Sequence, residues 1–204
     1  NASEIIPWLE SKNLLMAAMG LAAINAVLND SLTDYDSDNV INAIDIKAED
    51  NFGMVGDFAP ILNVVRKKAK NIYVFERNLD RAAGLYSEID IPEYLPKCDV
   101  IVVTATSIIN HTIEDVLSHC TDAREVCLVG PSTPLCPEIF KNYNVTLLAG
   151  SIVKDPEKTL QIVSQGGGTR TLKPSMEHVL IRTDKTNNDA VKPHPLLSTY
   201  GQTT

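Results

Sequence analysis

The sequence predicts an α/β protein: a Rossmann-like, open and mostly parallel sheet with helices on both faces, preceded by a helical segment. Two observations carry that prediction. From residue 51 onward, short apolar runs alternate with amphipathic stretches, the mark of βαβ units whose strands are buried on both faces. Ahead of them stands one long run of small and apolar residues at helical spacing.

In that run, "NLLMAAMGLAAINAVLN", the residues Leu14, Leu15, Ala18, Leu21, Ala22, Asn25 and Leu28 recur at the period of a packed helix. Its small residues Ala17, Ala18, Gly20, Ala22 and Ala23 would let another backbone approach closely, which makes this face a candidate homo-oligomer interface. "DSLTDYDSDN" has no apolar period and reads as a linker. The predicted strands are "FGMV", "NIYVF", "DVIVVTAT", "EVCLVG" and "VTLLAG", with "HVLIR" returning to the sheet edge. Between them "APILNVVRKKA", "TIEDVLSHC", "CPEIFKNY" and "DPEKTLQIVSQ" read as helices. Asp155 and Pro156 start the last of these and Gly166 stops it. The expected organisation is therefore a helical segment over 1–38, a remnant of or link to a preceding domain. A Rossmann-like domain over 39–182 and an irregular tail over 183–204 follow it.

Composition narrows the function. A formal charge of -8 and a pI near 5.0 leave no basic footprint for nucleic-acid phosphates or an anionic membrane surface. The run Leu14 to Leu28 is about 15 residues and is broken by Asn25, short of the roughly 20 that span a bilayer. Glu4, Trp8 and Glu10 stand where a signal peptide would carry basic residues. Cys98, Cys120, Cys127 and Cys136 form no C-x-x-C pair, so neither a disulfide framework nor a zinc ribbon is indicated and a cytoplasmic location is expected. The chain opens on "NAS" rather than Met, the beginning expected of a chain with residues removed ahead of it. Small molecules, metal cations or protein partners remain.

Open α/β sheets bind ligands outside the carboxyl ends of their strands. The residues predicted there are Gly53, Gly56 and Asp57 after the first strand and Glu76 with Arg77 after the second. Thr104, Thr106, Ser107 and Asn110 follow the third, Gly130, Pro131 and Ser132 the fourth, and Gly150 with Ser151 the fifth. Gly53 and Gly56 make G-x-x-G, so the dinucleotide fingerprint G-x-G-x-x-G is unmet, although Glu76 lies 20 residues beyond Gly56 where a ribose-binding carboxylate would sit. Asp57 stands where a pyrophosphate would want the helix N-terminus. It either caps that helix or faces a ligand. Thr104, Thr106 and Asn110 offer a polar arc above the sheet, with Thr112 as the expected cap of the next helix. His111 is the histidine best placed for proton transfer or a metal. Gly166, Gly167 and Gly168 exceed what a helix cap requires, and with Thr169 and Arg170 they form either a flexible stop or a cradle for an anion. His119 and Cys120 project about 100° apart on a helix and do not clasp one ion.

The serial order of "GLAAINA", "GMVGDFAP", "VFERN", "CDVIVVTATSIIN", "LVGPSTPL" and "LLAGSIVKDPEKTLQIVSQGGGTR" closely resembles the heavy-metal chelation domain family, a group of unknown function. The resemblance runs from about residue 12 to about residue 173. It implies a Rossmann-like domain without a demonstrated cofactor, preceded in the family by a smaller domain similar to an enolase N-terminal domain, with a site in the cleft between the two. Most of that preceding domain is expected to be absent here. Carried over, the matching turns fall on Gly56, Asp57, Glu76, Thr104, Thr106, Asn110, Gly130, Pro131, Ser132, Gly166, Gly167, Gly168, Thr169 and Arg170. These are oxygen donors rather than thiolates, suited to hard or borderline cations or a metal-bearing small molecule, with Asp57 and Glu76 as the charged metal ligands. Two alternatives stay open: a nucleotide or S-adenosylmethionine-like ligand with Glu76 on its ribose, and a structural oligomer subunit.

Overall fold

The structure is a computed structural model that describes residues 1–30, 34–81 and 84–183; the tail expected beyond Thr183 lies outside these. A short helix α1 (Ala2–Ile5) and a tight helical turn, Ile6–Glu10, lead into the long α2 (Leu14–Asp30), and α3 (Val40–Ala43) precedes the sheet. The alternation then runs β1 (Asn51–Val55), α4 (Ala59–Val65), β2 (Asn71–Phe75), α5 (Ile91–Tyr94), β3 (Val100–Thr104), α6 (Thr106–Ile109) and α7 (Ile113–Ser118). It continues through β4 (Glu125–Val129), α8 (Pro137–Phe140), β5 (Leu147–Val153), α9 (Pro156–Ser164) and β6 (Met176–Arg182). No described helix is long and apolar enough to cross a membrane.

The strands form one sheet in the order β2-β1-β3-β4-β5-β6. The first five are parallel, and β6 returns antiparallel to β5 at the edge. Asp36, in the polar stretch expected to be a plain linker, adds a bridge to Leu180 on the outer side of β6. Alternation along the central strands feeds two cores. Ile101, Val103, Val126 and Leu128 face one layer, while Val100, Val102, Cys127 and Val129 face the other, as a sheet covered on both sides requires. Because β2 lies on one side of β1 and β3 on the other, the crossovers diverge between β1 and β3, and a crevice opens at their carboxyl ends.

The predicted helices between the strands are shorter than their apolar periods suggest, whereas α2 keeps its full length. Thr106, expected within the third strand, instead opens α6, because the chain must turn away from the sheet once Ala105 N–H has donated to Val129 O at 2.9 Å. The small-residue face of α2 has a partner within the chain: a Cβ on Gly20 would lie 2.3 Å from the Leu9 nitrogen. The turn Ile6–Glu10 therefore packs directly on the helix, and the close approach that the sequence offers to a second copy is taken at Gly20 by the protein's own backbone.

At the amino ends of the strands, charges are paired. Asp50, 2% exposed, accepts from Arg124 Nη1 at 3.1 Å and Nη2 at 2.8 Å, and from the Lys47 N–H at 2.7 Å. The Arg124 hydrogen bond holds the Asp50 carboxyl below its ordinary value. Arg182 similarly joins Glu125 to the Ala43 carbonyl.

Candidate functional site

The crevice at the carboxyl ends of β1, β2 and β3 is a cleft of about 290 Å³. It brings together six of the residues picked out by the sequence, Gly56, Asp57, Glu76, Thr104, Thr106 and Asn110. Gly56 turns the chain with φ +93°, and a Cβ there would sit 3.0 Å from Thr104 Cβ, so the position requires glycine both for its backbone and for its neighbour. Its N–H continues the ladder to Phe75 O at 2.8 Å.

Asp57 does not cap the helix. The N-cap of α4 is Phe58, with no side-chain cap bond. The Asp57 side chain is exposed on the cleft and makes no hydrogen bond or ion pair with any described residue. Glu76, half-buried across the cleft, accepts at Oε1 from the Arg77 N–H at 3.0 Å and the Asn78 N–H at 3.4 Å. Thr104 and Thr106 hydroxyls pair at 2.9 Å. Thr112 stands at the N-cap of α7 but leaves its backbone uncapped; its hydroxyl donates instead to Asn110 Oδ1 at 2.6 Å, which aligns the Asn110 amide beside the cleft.

Two further residues line the cleft, Ser107, already placed at the end of the third strand by the sequence, and Glu88, which the sequence reading missed. Ser107, 1% exposed, donates to Thr104 O at 2.6 Å and anchors α6 to the end of β3. Glu88 reaches the cleft from a distant turn and holds Arg77 Nε at 2.7 Å. The capping box Ser87 to Asp90 that shapes this turn is legible as S-x-x-D and locates it. Among the described residues, the cleft is lined by three carboxylates, Asp57, Glu76 and Glu88, and by the guanidinium of Arg77, which Glu88 holds.

The other expected positions lie elsewhere. Gly130 (φ +131°) turns the chain after β4, and Ser132 faces a second cavity beneath α2. Gly166 and Gly167 are spent on ending α9: their N–H groups donate to Val163 O and Ile162 O, each at 2.9 Å, the paired bonds of a Schellman stop. Gly167, Thr169 and Arg170 line neither cavity. His111, in a left-handed conformation at φ 60°, donates from Nε2 to the Ser11 carbonyl at 3.0 Å and ties the N-terminal segment to the sheet domain, outside the cleft. Among the described residues no group of three or more His, Cys, Asp or Glu side chains is arranged to hold a metal. All four cysteines are free thiols. Burial pushes Cys98 and Cys120 up to about 12 and Cys127 well above its ordinary value, which leaves these three as neutral core residues.

The comparisons with known proteins agree with this architecture. A family model described as "Putative heavy-metal chelation" matches residues 39–182, and a second with the same description matches residues 1–28. An uncharacterized protein of Methanocaldococcus jannaschii is 32% identical over 167 residues, covering 78% of this chain and 63% of that protein, so the chain spans less than two thirds of this relative. A crystal structure of a protein of unknown function from Pyrococcus horikoshii superposes with a TM-score of 0.82 at 27% identity, over 89% of this chain and 74% of that one. Another, from Desulfitobacterium hafniense, gives 0.76 at 26% identity, over 89% and 73%. With its sheet domain matched throughout, the chain belongs to the family described as heavy-metal chelation, whose members compared here are themselves uncharacterised.

Proposed function

We propose that the cleft at the ends of β1, β2 and β3 binds a cation, either a divalent metal ion or a metal-bearing small molecule. Asp57 and Glu76 supply the charge, and Thr104, Thr106 and Asn110 supply neutral oxygens. The observation that carries this reading is the Asp57 carboxylate, which projects on the cleft without any partner among the described residues. Two carboxylates with neutral oxygens suit a hard or borderline cation that keeps part of its water, rather than a thiophilic ion. The family description points the same way.

Chelator-treated protein purified without a metal-affinity step, titrated calorimetrically with magnesium, manganese, nickel and zinc salts, tests the reading. Saturable binding that disappears in Asp57→Asn is expected. No heat from any of these ions, or binding that Asp57→Asn leaves intact, refutes it. The position of Glu76 at the end of β2, beside the Gly56 turn at the switch point, favours one competing reading, a nucleotide held through its ribose. Against it, Asp57 stands where the phosphates would lie. Adenine nucleotides and S-adenosylmethionine should therefore give no thermal shift, whereas a shift lost in Glu76→Ala would favour the nucleotide.

A further inference from the structure

A second cavity, of about 710 Å³, lies between α2 and the carboxyl-end segments of β4 and β5, with α6 dividing it from the cation cleft: Ile109 faces the cavity and Thr106 the cleft. Its apolar wall includes Leu21, Ile109, Ile152 and Met176. Asn25, set in the otherwise apolar α2, also lines it and is 8% exposed. Asn25 Nδ2 donates to the Ser132 carbonyl at 3.0 Å, and because a carbonyl only accepts, this fixes which way the amide is turned. Asn25 Oδ1 is then buried without a partner among the described residues. A buried acceptor in that state is uncommon in a folded protein and calls for a donor from outside the described residues.

The cavity also presents Lys154 and Tyr35. Lys154 Nζ donates to Tyr35 Oη at 3.0 Å and pairs with Glu177 at 2.8 Å, so one of its three N–H groups remains for another acceptor. Apolar walls with a few fixed polar groups of opposite hydrogen-bonding sense are the usual make-up of a small-molecule site.

We propose that this cavity is a second ligand site, for a small amphipathic organic molecule. Its apolar body lies against Leu21, Ile109, Ile152 and Met176, an N–H or O–H donor meets Asn25 Oδ1, and a carboxylate-type acceptor meets Lys154. The site is independent of the cation cleft in residues and in the ligand chemistry it favours.

The dye 1-anilinonaphthalene-8-sulfonate has those three parts: an aromatic body, one N–H and an anionic acceptor. In a fluorescence titration without divalent cations, which keeps the result separate from the cation reading, native protein should bind it saturably at one dye per chain. Lys154→Met should weaken binding on the order of tenfold, as loss of a charge-assisted hydrogen bond does. Ala18→Trp, which fills the cavity from α2, should abolish it. Leu15→Glu, on a part of α2 outside the cavity, should leave it within about twofold. The proposal is overturned by an absence of saturable binding, by unchanged affinity in Lys154→Met, or by binding that Leu15→Glu removes and Ala18→Trp spares.

Discussion

The two ends of the sheet treat their carboxylates in opposite ways. At the amino end Asp50 is withdrawn from solvent and held by Arg124 and the Lys47 N–H. At the carboxyl end Asp57 stands exposed on a cleft with no partner among the described residues, and Gly56 and the threonines leave room beside it. Both flank β1, Asp50 directly before it and Asp57 two residues after it, in contexts no more distinctive than "ED" and "GD". The difference teaches that charge at the amino end is spent on holding the fold, while at the carboxyl end Asp57 is left without a partner among the described residues, as its proposed ligand role requires.

Breaking the amino end should have the largest effect. Asp50→Ala leaves the Arg124 guanidinium and a backbone N–H without their acceptor, and should cost about 3 kcal/mol in urea unfolding. A loss below about 1 kcal/mol would mean that solvent replaces the pair, since Arg124 is 39% exposed. Gly56→Ala comes next, at about 2 kcal/mol, because a side chain there meets both a positive φ and Thr104. The same melt on Gly84→Ala, a glycine of φ +81° with nothing within 4 Å, isolates the share due to the backbone alone.

Acid separates the two ends more finely. The folded-state value of Asp50 lies below the ordinary 3.8, so its pair stabilises the protein fully above that value and the contribution disappears as pH falls through the lower folded-state value. Asp50→Asn should therefore flatten the decline of stability over the acid range below about pH 4. If the variant and the native protein lose stability in parallel over that range, the pair is not what acid breaks. The smallest stability effect belongs to Asp57→Asn, within about 0.5 kcal/mol of native, since no described hydrogen bond or ion pair is lost with the carboxylate.

Much of the sheet was legible because its strands are near-continuous apolar runs cut off by glycine or hydroxyl residues, as in "EVCLVG". Thr106 was misplaced because threonine favours strands, and only the tertiary turn after Ala105 puts it in α6. The six residues that line the cleft were legible because the strand-end rule needs only strand boundaries and order. Glu88 and Arg77 pair across a loop, a contact that no local spacing encodes. Asn25 was noted as a position of the helical period and as a break in an apolar run, and its further meaning depends on Ser132, 107 positions away. The three glycines after α9 were ambiguous because a Schellman stop and an anion cradle use the same backbone freedom; the bonds to Ile162 and Val163 give Gly166 and Gly167 to the stop.

The central claim is that Asp57 is a free ligand while Asp50 is a structural one, and manganese(II) offers the most direct measurement. Electron paramagnetic resonance titration of chelator-treated protein counts free manganese, and so bound ion, without depending on any enzymatic activity. The native chain should remove one ion per chain from the free signal, and Asp57→Asn should return that signal to the level of buffer while unfolding at the native urea concentration. Undiminished binding in Asp57→Asn, or no binding by the native chain, would contradict the account.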